Sequence, residues 1–151
     1  MHNSLWRVFW RYTNFLNRQN FQELALTRLQ DAKVLLDNHQ YSGAYYLSGY
    51  VIECALKACI AKKTQQYDFP DKNTVMDSYT HNLEKLVTGA DLNKQLKSLK
   101  NDPDFSPKWS EVRDWSEESR YKKYNQEEAH NIYSAITDPN HGVLQWLQQH
   151  W

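Results

Sequence analysis

Apolar residues recur along this chain at three- and four-residue steps, the period of an α-helix packed on one side. Phe21, Leu24, Ala25, Leu29, Ala32 and Leu36 give a stripe over residues 20–38, with Arg28, Asp31, Asp37 and Asn38 on the other face. After a short turn at 39–43 the pattern changes. Ala44, Tyr45, Leu47, Tyr50, Val51, Ile52, Ala55, Leu56, Cys59 and Ile60 make the next segment apolar nearly all round. That predicts a helix over about 42–63, N-capped by Ser42 and surrounded by other helices. Residues 64–80 read as a polar loop containing Pro70. Short helices are predicted beyond it: one capped by Thr80 with Leu83, Leu86 and Val87 inward and Gly89 after its end, and one capped by Asp91 with Leu92, Leu96 and Leu99. After the turn NDPDFSP comes a helix with Trp109, Val112 and Trp115. Asn125 and Glu128 form a capping box ahead of Ala129, Ile132 and Ile136. Asp138-Pro139 reads as the start of a last helix with Val143, Leu144, Trp146 and Leu147.

The expected fold class is therefore all-α, a helical bundle with additional short helices. The 20–151 region forms the bundle. Residues 1–19 form an aromatic and basic extension, with Trp6, Trp10 and three arginines but no acid before Glu23. With 151 residues, one core is expected, and four Gly and four Pro leave little material for the many turns of a β fold. Lys plus Arg equals Asp plus Glu at 18 each, which argues against a protein that coats nucleic acid through net charge and leaves local patches as the alternative. No run of 18 apolar residues is present, so no membrane span is expected. Cys54 and Cys59 diverge around one helix and read as free core thiols, which suits a cytoplasmic location.

Two groups of residues carry candidate chemistry. Glu53 and Lys57, four apart inside the apolar segment, share a helix face and can pair. Their charges are either a private intrahelical pair or part of a site. Arg120, Tyr121, Lys122, Lys123 and Tyr124 interleave cations with aromatic rings, the combination that holds single-stranded nucleic acid by stacking and phosphate contact. Its alternative is a loop whose tyrosines pack beneath the bundle. His81 and Glu84 lie one turn apart, but no further His or Cys stands at ligand spacing, so no metal and no other cofactor is expected.

The segment SGAYYLSGYVIECALKACIAK at 42–62, preceded by ALTRLQDAKVLL and followed by THNLEKL, a Trp-rich stretch ending ESRY and a helix starting EEA, resembles the HEPN family of helical-bundle domains. The likeness runs over roughly residues 22–148. It implies an up-down helical bundle that forms a homodimer, RNA or a nucleotide as ligand, and in some members a role in toxin–antitoxin or defence systems beside a small nucleotidyltransferase. Active members cut RNA without metal, using an Arg with a His four to six positions later. They often also carry a Glu with a basic residue four positions later in the central helix, matched here by Glu53 and Lys57. Neither Arg113 nor Arg120 has a His at that spacing, and the first His after Arg120 is His130, ten residues on. Three readings follow: a binding module with a degenerate Arg/His motif, using Glu53, Lys57, Arg113 and the 120–124 tract; an active endoribonuclease toxin using Arg120 and His130; or a non-catalytic interaction domain.

Overall fold

The computed structural model describes residues 17–65 and 78–151, and every regular element among them is helical. The elements are α1 (Arg18–Asp37), α2 (Tyr41–Gln65), α3 (Leu83–Gly89), α4 (Asn93–Leu99), α5 (Ser106–Arg113), a 3-10 helix (Glu117–Tyr121), α6 (Gln126–Thr137) and α7 (Val143–Gln148). The aromatic segment 4–16 and most of the Pro70 loop, residues 66–77, lie outside the described residues.

α1 and α2 form a hairpin and share the largest helix–helix contact of the fold. Asn17 starts α1: its side chain accepts from the Asn20 backbone N–H while the Asn20 side chain accepts from the Asn17 N–H. Those two bonds satisfy donors that the first turn would leave open. The chain turns after α1 through His39, whose φ of 61° is the left-handed conformation that stops a helix. Phe21, Ala25, Ala32 and Leu36 are buried, and Leu24 and Leu29 pack half-buried against the core.

α2 is the axis of the molecule. Residues 51–60 are all buried, and α1, α3, α6, α7 and the 3-10 helix each lie against it. The expected all-round apolar helix is thus found, two residues longer at its C-terminal end and one at its start. Phe105, Trp109 and Trp146 join the core in edge-to-face contacts at 5.5 and 6.3 Å. Trp115 seats its ring on Gly49, where an added Cβ would come within 2.2 Å of the indole, and its ring N–H donates to the Tyr46 carbonyl at 3.1 Å.

Several caps differ in detail from the sequence reading. Asn125 and Glu128 form their box as expected. Ser42 instead lies inside α2 and accepts the Tyr124 backbone N–H. Asn82 caps α3, and the Thr80 hydroxyl in turn accepts from the Asn82 N–H. Asp91 is no cap: it sits at φ 59° in the turn before α4. Asp138 closes α6 and accepts from the N–H groups of Asn140 and His141, so Pro139 belongs to a turn and Gly142 precedes α7. Thr80 and Asp138 bond N–H groups two or three residues on in their own turns, whereas Ser42 is taken by a tertiary contact.

Candidate functional site

Glu53 is 2% exposed in the middle of α2, where an unpaired carboxylate would be costly. Its Oε2 lies 3.6 Å from the Lys57 ammonium one turn on, so the pair expected from spacing forms, and both side chains are buried. Its Oε1 is engaged from elsewhere: His81 Nδ1 approaches to 2.6 Å. His81 comes from the segment ahead of α3, whose backbone is fixed by Thr80 and by the Asn82 cap. The other ring nitrogen, Nε2, lies 3.2 Å from Oε2 of Glu117, the first residue of the 3-10 helix. Lys57, Glu53, His81 and Glu117 therefore form a continuous run of polar contacts from the central helix out to the surface.

Beside this run lies a cavity of about 310 Å³. α1 supplies Phe21 and Leu24. α2 supplies Tyr50, Glu53, Cys54 and Lys57, and Tyr79 and His81 close the remaining side. Its walls are mostly apolar with charged groups at one place, the usual make-up of a small-ligand pocket, at the low end of the size range. Burial, the largest influence, pushes the Cys54 thiol up to about 12, and the neighbouring Glu53 charge acts in the same direction. Cys54 is therefore wall and not nucleophile.

The 3-10 helix leads into the basic and aromatic tract. Ser119 is buried and accepts from the Tyr124 hydroxyl at 3.2 Å. Tyr124 stacks on Tyr45 with ring centroids 3.6 Å apart, and its N–H is held by Ser42. The tract is pinned at both ends, and Arg120, Tyr121, Lys122 and Lys123 between the pins are all exposed. Tyr121 is 77% exposed with the Arg120 guanidinium 4.9 Å above its ring centre. Burial raises the Tyr45 hydroxyl to about 12, with the adjacent Tyr124 next in effect, so Tyr45 anchors the stack as a neutral phenol.

The remaining expected residues sit elsewhere in their contacts. His130 is exposed on α6, its ring 6.4 Å from that of Tyr41, whereas Arg120 lies on Tyr121. Arg113 ends α5, exposed, with Nε 3.6 Å from its neighbour Asp114. Arg120 is not part of the cavity lining; it begins the exposed tract three residues after Glu117, which touches His81. Among the described residues no cluster of three or more His, Cys, Asp or Glu could hold a metal ion, and no helix is long and apolar enough to cross a membrane.

Sequence reasoning missed His81 and Glu117 as members of this site. A carboxylate offers more acceptor positions than one lysine fills, so burial of Glu53 called for a second donor. Nothing in helical periodicity says which one, since His81 is 28 residues away beyond a loop.

A family model for the HEPN domain matches residues 19–147. Searches of curated proteins and of solved structures give no match.

Proposed function

Because the chain belongs to the HEPN domain family, we propose that it is an RNA- or nucleotide-associated module that binds its ligand and does not cut it. The observation that carries this reading is the presentation of residues 120–123. Three cations and one exposed tyrosine project between two anchored residues, and the same 3-10 helix begins at Glu117 against the Glu53–His81 pair. In this reading phosphates bind Arg120, Lys122 and Lys123, a base stacks on Tyr121, and Tyr124 fixes the tract to the bundle. Glu53 and Lys57 hold His81 at the inner edge. Active members of the family cleave with an Arg followed by a His four to six positions on, and neither Arg113 nor Arg120 has one. The family resemblance adds a second copy of the chain and a small nucleotidyltransferase as the partners to look for, in the cytoplasm.

Purified protein incubated with mixed single-stranded RNA separates the readings. Retarded, intact RNA is expected, with binding that weakens as salt rises. Replacing Arg120, Lys122 and Lys123 together by Ala should lower the slope of log affinity against log salt by about 2, the value for three lost phosphate contacts on a single strand. Binding with no salt dependence, or an unaltered slope in the triple variant, overturns the assignment. RNA cleavage that disappears in His130→Ala would replace it with an endoribonuclease that pairs Arg120 and His130.

A further inference from the structure

His81 is held differently on its two sides. Nδ1 meets a buried carboxylate oxygen of Glu53 at 2.6 Å. Nε2 meets a carboxylate oxygen of Glu117 at 3.2 Å, between side chains that are 43% and 42% exposed. The inner contact is short, sheltered from water and screened little. The outer one is longer, wet and open to exchange with anything in solution. An ionised carboxylate only accepts hydrogen bonds, so the contact with Glu117 is made by an Nε2–H that the ring presents outward. An N–H fixed by a buried acid and aimed at the surface is a ready donor for an oxyanion. In the structure that position is filled by a side chain of the protein itself.

We infer that Glu117 is an internal competitor: its carboxylate occupies the place on His81 Nε2 that a ligand phosphate takes, and binding displaces it. This rests on the proposed RNA or nucleotide association and names the anchoring point within it. The geometry supplies a cation as well. In a 3-10 helix residues three apart eclipse one another, which places Arg120 on the face of Glu117. A phosphate that displaces the carboxylate has the His81 donor on one side and a guanidinium nearby. Lys57 is held by the same acid, its ammonium 3.6 Å from Oε2 of Glu53. The cost of displacing Glu117 lowers affinity for every phosphate ligand alike, so the contact sets a threshold and does not select among sequences.

The test compares Glu117→Gln with Glu118→Gln, which removes the same charge from an exposed neighbour for which no contact with His81 is seen. Affinities are measured for a single-stranded RNA oligomer and, separately, for adenosine monophosphate. Glu117→Gln is expected to bind at least three-fold tighter than the unaltered protein, and Glu118→Gln within two-fold of it. A gain with both probes points to the terminal or bridging phosphate alone; a gain confined to RNA requires the 120–123 tract as well. In the double variant Glu117→Gln/His81→Ala the gain should vanish, with thermal unfolding run alongside to establish that the double variant is folded. If that variant is unfolded, the His81 ring resonances in Glu117→Gln provide the same readout, and they should move on titration with adenosine monophosphate. Equal affinities for the unaltered protein and Glu117→Gln, or an equal gain in Glu118→Gln, overturn the inference while leaving RNA association in place. Absence of binding by every form overturns both.

Discussion

The two thiols show how far a single residue can be read from its neighbours in sequence. Five positions apart on a helix, Cys54 and Cys59 were expected to diverge and stay free, and both are free and buried. Burial pushes both thiols up to about 12. Cys59 also donates to the Leu147 carbonyl across the core, with sulfur 3.6 Å from the oxygen. A raised value means the unreactive thiol form persists throughout the neutral range. Iodoacetamide at pH 8 should therefore leave the folded protein unmodified, and the same reagent in denaturing urea should add two adducts by intact mass. An adduct on the folded protein would show that water reaches the cavity wall at Cys54 more freely than the structure allows. Glu53 and Lys57 were legible for the same reason as the thiols: four residues is a helical turn, and their relation is set by the backbone. The relation of Glu53 to His81 is set by how a loop returns to the bundle, and no local rule encodes it.

At the scale of elements, the helices were legible and their ends less so. Apolar periodicity placed α1, α2 and α6 within a few residues, because a buried stripe is demanded over many turns at once. Caps depend on a single hydrogen bond that another N–H can capture: Ser42 serves a tertiary contact and Asp138 a turn, while Asp91 sits in a turn with positive φ. The 3-10 helix was not foreseen. Its five residues bury only Ser119, too little to leave a pattern. What fixes it is Trp115, wedged over Gly49 and bonded to Tyr46. Gly49→Ala tests that wedge with an informative sign. In an unobstructed helix the change stabilises by up to about 1 kcal/mol. Here the new methyl meets the indole, and overpacking should destabilise by about 1–3 kcal/mol in urea unfolding. The 120–124 tract would be displaced with it, so weaker RNA retention should accompany the loss. A stabilised Gly49→Ala protein would mean that Trp115 moves away at little cost.

Across the whole molecule, the arrangement of helices around one apolar axis was the most readable property, since a segment without a polar face has to be enclosed. Less readable was where that axis opens. Leu26 and Val34 on α1 are large and exposed, yet the cavity lies on the other side of that helix, by Phe21 and Leu24. The charged floor of the cavity and the innermost wall of the core belong to the same helix, α2. A molecule docked at Glu53 and His81 consequently bears on the helix that the other helices pack around. Its binding energy is felt by the cooperative melting of the entire bundle, by about 2.7 kcal/mol at a hundred times its dissociation constant. A dye-based melting screen over nucleotides and short oligonucleotides thereby becomes a search for the natural ligand, the true one announcing itself as a rise of several degrees.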